Sequence, residues 1–356
     1  MGWYNKTSMS GKKQTRLNES GMVSFMVTMI MMIVITLIVL GFSQVVRRNQ
    51  REALDRQLSA QAFYAAESGV NDATKTINAT LKLGNPLTPK TTCAADGVYV
   101  TGNSNVLDAG SGTAYTCLMV APFPDNLVLS NLDQNSSTVV PVNYADSTGA
   151  AQNAKTMTFS WTVDPAGTKV YTDCNDAAFT WRQVSSWICG YAMLRVDLMQ
   201  VPATSNSFAA LNNASKTFFF APWNVDNNPN YDYTFKAGIT RADCATDTTQ
   251  CTVTVNFGAP GPAGTSKYYV RLTPLYRSIP QLTINGTVAS GAAADFANSQ
   301  ILINSTGKAQ DTLRRIQVRL PVGNTNNTQP SYAVQSNDSV CKKFGAATGV
   351  FIDYCP

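Results

Sequence analysis

The stretch MVSFMVTMIMMIVITLIVLG, residues 22–41, followed shortly by REALDRQLSAQAFYAAESGVNDATKTI, residues 51–77, decides how the rest of the chain is read. From Ser20 to Val46 no residue is charged, and within residues 22–41 only Ser24, Thr28 and Thr36 interrupt the apolar run. A helix rises 1.5 Å per residue, so about twenty residues span roughly 30 Å, one hydrocarbon core. Residues 22–46 therefore read as a transmembrane helix, because a soluble fold would have to shield this whole run from water. Met26, Met29, Met31 and Met32 read as lipid-facing filler.

The second stretch changes surface character but not secondary structure. Ala, Leu, Gln, Glu and Arg, all good helix formers, dominate residues 51–77, and no proline occurs before Pro86. Leu54, Leu58, Ala62, Ala65, Gly69, Ala73 and Ile77 recur at three- and four-residue steps and form one apolar stripe. Small residues in its middle allow another backbone to come close, either the chain's own sheet or a neighbouring helix. The spacing predicts one continuous helix over residues 22–84, transmembrane over 22–46 and amphipathic over 47–84, stopped by Gly84-Asn85-Pro86.

Charge is confined to one end of this 356-residue chain. Residues 1–56 hold eight Lys and Arg against three acids, leaving 19 against 19 beyond them, so the formal charge of +5 belongs to the N-terminus. The larger part has no global basic field with which to bind nucleic acid. Histidine is absent, which removes Ser-His-Asp and Cys-His nucleophilic sites, His-ligated zinc and imidazole acid–base chemistry. No P-loop, G-x-G-x-x-G or G-x-S-x-G occurs, and paired carboxylates for glycoside hydrolysis have no readable separation. The chain reads as non-enzymatic, with no cofactor.

Basic residues flank both ends of the apolar run, so charge alone leaves its orientation open. The cysteines decide it. All eight (Cys93, Cys117, Cys174, Cys189, Cys244, Cys251, Cys341 and Cys355) follow the run, as expected of disulfides made in an oxidising compartment. The N-terminus is then cytoplasmic and the C-terminal part extracytoplasmic. Eight cysteines allow 105 pairings. Neighbour pairing is the simplest.

The basic leader ending Glu19-Ser20-Gly21, followed directly by the hydrophobic Met22, resembles a class III (prepilin) signal, in which the peptidase cuts after glycine on the cytoplasmic side. The segments Asp55-Arg56-Gln57 and Ala62-Phe63-Tyr64-Ala65-Ala66-Glu67-Ser68-Gly69-Val70 are similar to the corresponding stretch of PilX-type minor pilins. The resemblance covers about residues 15–77. It implies a type IV pilin-like α+β fold: a long N-terminal helix packed on a large, disulfide-bonded, antiparallel β-rich domain over residues 85–356, after a leader over residues 1–21. It also implies processing at Gly21 and Met22, and filament packing through Met26, Leu54, Leu58, Ala62 and Ala65. The implied partners are other pilin subunits, the prepilin peptidase and the inner membrane, with a host or neighbouring cell surface as target of the displayed domain. Major pilins carry glutamate at the fifth mature position, where this chain has Met26. A carboxylate there is costly to bury unless paired, and a subunit at the head of a filament has no amine ahead of it to neutralise, so the departure favours a minor or tip subunit. The alternatives are a membrane-anchored binding protein or adhesin outside any filament, and a minor pseudopilin of a type II secretion system. The pair Cys341 and Cys355 is similar in position to the C-terminal disulfide-bounded region of pilins.

Beyond residue 86 the pattern turns to period two, clearest where Met157, Phe159, Trp161 and Val163 alternate with Thr158, Ser160 and Thr162. Similar alternation marks Leu194/Val196/Leu198, Cys251/Val253/Val255/Phe257, Tyr268/Val270/Leu272 and Ile316/Val318/Leu320/Val322. The Gly- and Pro-rich residues 258–264 are the best candidate for a break between two subdomains. Arginines of residues 312–320 read as a solvated strand face, and Phe218-Phe219-Phe220 with Trp223 as core. A weak calcium candidate, Asp226, Asn228, Asn230 and Asp232, has alternating oxygen donors, but Tyr231 stands where an EF-hand needs glycine and Ala237 where it needs glutamate.

Overall fold

The computed structural model describes residues 19–100, 105–110, 112–163, 174, 187, 189–200, 215–223, 230–232, 239–244, 250–257 and 267–322. One helix, α1 (Glu19–Lys82), runs 64 residues, about 96 Å at the standard rise. Its end follows from sequence. Gly84 adopts φ +71° and donates to Leu81 O at 3.0 Å, while Asn85 donates to Thr80 O at 3.2 Å. This pair of bonds is the Schellman closure, which needs a left-handed residue that glycine adopts without strain, and Pro86 cannot continue the helix.

Among the described residues sixteen strands follow: β1 (Lys90–Ala94), β2 (Val106–Asp108), β3 (Thr113–Ala121), β4 (Leu127–Leu132), β5 (Thr138–Ala145), β6 (Ala154–Thr162), β7 (Met193–Gln200), β8 (Ser215–Trp223), β9 (Asn230–Asp232), β10 (Ile239–Asp243), β11 (Gln250–Asn256), β12 (Lys267–Leu275), β13 (Ile279–Val288), β14 (Asp295–Ala297), β15 (Gln300–Ala309) and β16 (Thr312–Pro321). They form two sheets. The smaller runs β1-β3-β15-β16, with β2 also on β3, and is antiparallel throughout. The larger runs β14-β5-β12-β7-β8-β10-β11-β6-β13-β4, with β9 on β11.

Two pairings of the larger sheet, β10 with β8 and β9 with β11, are parallel, a departure from the antiparallel expectation. Parallel neighbours need a crossover rather than a tight turn, and the chain between Trp223 and Ile239 supplies that length.

The larger sheet doubles over itself. Tyr144 of β5 donates to Thr156 O of β6 at 2.7 Å and lays its ring against Gly286 of β13, and the Trp161 indole of β6 donates to Ala192 O at 3.0 Å. Between the layers lie the alternating residues Met157, Phe159, Trp161, Leu194, Val196, Leu198, Val253, Val255, Val270 and Leu272, all buried. The outward hydroxyls pair across strands, Thr158 with Thr254 at 2.9 Å and Ser160 with Thr252 at 3.2 Å.

The chain order is nested. β3 and β15 are adjacent, yet every strand between them in sequence belongs to the larger sheet. The junction is held by polar clamps: Gln300 donates to Val128 O at 2.7 Å and accepts from Val128 N at 3.0 Å, and Arg319 donates to Asn126 O at 2.8 Å and to its Oδ1 at 2.6 Å. Residues 258–264, the predicted break, lie outside the described residues. The strands on either side, β11 and β12, both belong to the larger sheet.

Disulfides join Cys93 to Cys117, Cys174 to Cys189 and Cys244 to Cys251, each to its neighbour in sequence. Cys341 and Cys355 lie outside the described residues.

Candidate functional site

α1 is the element whose surface is not accounted for by the fold. It is long and apolar enough to cross a membrane, and none of its most apolar window is covered by the other described residues. Met26 is 66% exposed, and Ile30, Ile33, Leu37 and Leu40 are likewise exposed. Thr28 and Thr36 return their hydroxyls to the helix's own carbonyls, Phe25 O at 2.9 Å and Met32 O at 2.7 Å, so these two hydroxyls ask nothing of water. Gly21 and Met22, the expected processing residues, lie in this helix.

Fifteen or so residues further on, the same helix is sealed. Ala62, Ala65, Ala66, Val70, Ala73 and Ile77 are buried against β3, β15 and β16. The approach is unusually close. A Cβ on Gly307 of β15 would run into Ala62 O, Ala66 N and the Ala65 methyl, and one on Gly69 into Ser305 Oγ and the Tyr115 ring. Tyr115 adds a polar tie, donating to Asp72 Oδ2 at 2.8 Å. Burial of Val70 and Ile77 contributes about 1.5–3 kcal/mol each.

The expected packing stripe therefore divides. Ala62 and Ala65, assigned to filament packing from the sequence, are instead covered by the chain's own β15, because Gly307 lets that strand sit against the helix backbone. Leu54 stays 57% exposed, and Leu58 is half-buried at the boundary. Around that boundary a cavity of about 720 Å³ opens beside Arg56, Phe63, Tyr64, Arg314 and Arg315. Arg56 pairs with Glu52 at 2.6 Å along the helix, and Arg314 donates to Ser59 Oγ at 2.8 Å, tying the β15–β16 hairpin to α1.

No protein-family model, no curated protein and no solved structure matches the chain. The uncovered helix suggests a membrane anchor, and the disulfides suggest an extracytoplasmic domain, on the physics of the residues alone.

The remaining sequence candidates divide clearly. Phe218 and Phe220 are core, while Phe219 lies on the outer face with the Arg195 guanidinium 5.7 Å above its ring, and Trp223 lies 3.8 Å beneath that of Arg241. Of the arginines in β16, Arg315 donates to Asn304 Oδ1 at 3.0 Å and Arg319 holds Asn126, so both tie strands together. Asp226 and Asn228 of the calcium candidate lie outside the described residues, and Asn230 and Asp232 belong to strand β9 rather than a loop. Among the described residues no group of three or more acids or cysteines is arranged to hold a metal.

Burial shifts three titrating groups of the larger sheet. Burial pushes the Tyr268 phenol up to about 12, and burial, followed by neighbouring Tyr268, holds Tyr144 well above its ordinary value. Asp295 is raised by burial first and then by Asp125 and Asp146. Sequence reading missed one constellation altogether: Arg195 and Asp197 of β7, Thr217 of β8, and Tyr269 and Arg271 of β12, which line a cavity on the outer face. Their signal was charge at alternate, outward positions of strands otherwise recognised only by their inward residues.

Proposed function

We propose that this chain is a minor, non-enzymatic subunit of a type IV pilus, of the PilX type. A prepilin peptidase cuts it after Gly21, residues 22–46 hold it in the inner membrane, and the same helix then packs among other pilin subunits. The disulfide-bonded sheets are displayed at the cell surface for pilus assembly or adhesion.

The observation that carries this reading is the division of α1. One half is sealed by a hydrophobic core of its own, and the other, continuous with it, is covered by none of the described residues. Lipid covers such a surface before assembly, and close-packed helices of other subunits cover it afterwards through van der Waals contact. The lack of a carboxylate at Met26 and the large domain beyond the small sheet favour a specialised subunit over the bulk repeating one.

A Gly21→Lys variant tests the proposal. It should remain uncut, stay in membranes and disappear from the sheared-filament fraction. An uncut variant still found in filaments at the wild-type level, or an unchanged membrane population with the wild-type protein itself never in filaments, would replace this reading with an anchored binding protein.

A further inference from the structure

The bare stretch of α1 ends on a patch of positive charge. Phe42, Val45 and Val46 are apolar and exposed, and Arg47, Arg48 and Arg51, all exposed, follow at once. At 1.5 Å per residue the three arginines stand about 2, 3 and 8 Å beyond Val46 along the helix axis. The headgroup layer of one leaflet is about 5–8 Å deep. At 3.6 residues per turn the three positions fall within an arc of about 100°, so they share one face of the helix at headgroup depth.

No carboxylate of the chain answers them. From Ser20 to Arg51 the sequence holds no acid. The first one, Glu52, lies one turn beyond Arg48 but is bonded to Arg56 at 2.6 Å. Asp55, one turn beyond Arg51, stands about 14 Å past Val46, above the headgroups. Among the described residues Arg47, Arg48 and Arg51 make no hydrogen bond or ion pair through their side chains. Arg47 and Arg51, at i and i+4, are a like-charge pair that weakens a helix, and an anion between them removes that cost. The other arginines near this end of the domain stand too high to share the role. Arg314 is tied to Ser59, about 20 Å beyond Val46.

We propose that Arg47, Arg48 and Arg51 bind the phosphates of anionic phospholipids in the leaflet on the domain's side, the guanidinium forks each taking phosphate oxygens in pairs. Position selects the ligand, because lipid phosphate is the anion that an embedded helix meets at this height. Charge selects among lipids. A zwitterionic headgroup carries its own cation beside the phosphate, which three arginines repel, whereas phosphatidylglycerol carries none. The inference rests on the membrane half of the proposed function, to which it adds a lipid partner, and it does not depend on the filament.

The test is native mass spectrometry of the full chain in micelles that hold phosphatidylglycerol and phosphatidylcholine in equal amounts. Each arginine at an anionic surface contributes on the order of fivefold, so the wild-type chain should retain phosphatidylglycerol by about tenfold or more over phosphatidylcholine. The triple variant Arg47→Gln/Arg48→Gln/Arg51→Gln should bring that preference to about twofold or less. Arg314→Gln/Arg315→Gln, changed above the headgroups, should leave it as in the wild type. Melting temperature and resistance of the membrane-bound chain to alkaline carbonate check that each variant is folded and embedded. Equal retention of the two lipids by the wild-type chain would overturn the proposal. So would a preference that survives loss of the three arginines, that falls equally in the Arg314/Arg315 variant, or that inorganic phosphate abolishes at the concentration of the lipid. A wild-type chain released by carbonate would remove the membrane anchor and this site together, whereas an embedded chain without a lipid preference would remove this site alone.

Discussion

Residues 23–46 and residues 62–77 belong to one uninterrupted helix, yet their surroundings have nothing in common. The first stretch carries large aliphatic side chains all round and meets no other element among the described residues, while the second carries alanine and glycine on one face and is pressed against three strands. Side-chain size marks the difference. Large residues around the whole circumference call for a covering the chain does not make itself, whereas a narrow stripe of small residues calls for a backbone that can come near. At Gly307 and Gly69 that backbone is the protein's own.

Substitutions on the two stretches should separate folding from assembly. Gly307→Val puts a branched side chain where Ala62 O and Ala66 N already stand, and the helix backbone cannot yield, so a loss of about 3 kcal/mol or more is expected in thermal unfolding of the detergent-solubilised chain. A wild-type melting temperature would show that the seam is looser than described. Opening the Cys93–Cys117 bridge, which ties β1 to β3, should cost about 3 kcal/mol. The bridges of sequence separation 15 and 7 should cost progressively less, and equal losses from all three would contradict the chain-entropy account.

The helix, its C-terminal stop and the inward faces of the strands were legible because each is written in local spacing. So was the order of the three disulfides described, since each closes a short loop. What stayed hidden depends on which strands become neighbours. Nothing near Thr113–Ala121 announces that its partner is Gln300–Ala309, with a whole sheet inserted between them. Gly307 lies mid-strand, a position that signals either a bulge or a close approach, and both occur there, since the β3–β15 register shifts between Thr306 and Gly307. Likewise Asp197 and Arg271 meet only because β12 pairs with β7, a fact absent from the alternation of either strand.

Alkaline pH tests the larger sheet apart from the helix. Tyr268 has a folded value of about 12 against 10.0 unfolded, so the folded state holds its proton more tightly. The stability linked to it is present in full below pH 10 and is lost as pH climbs through about 12, a loss of about 2 to 3 kcal/mol. Tyr268→Phe should remove most of that alkaline loss, as read by denaturant melts at pH 9 and above. An unaltered profile would mean that the phenol is not buried in the core.

The smallest folding effect belongs to the uncovered stretch. Leu37→Ala should leave the stability of the domain that follows the helix within about 0.5 kcal/mol of wild type, because Leu37 is exposed and is covered by none of the described residues of that domain. The same substitution should still lower the amount of the chain recovered with sheared filaments, a readout on which Ile77→Ala acts only through folding.

The central claim, that the bare half of α1 is a processed filament helix, is tested most directly by mass spectrometry of the native N-terminus in a sheared-filament fraction. The account predicts a chain that begins at Met22, with its amine methylated, recovered together with other pilin subunits. A chain that keeps Met1 and is confined to membranes would contradict it.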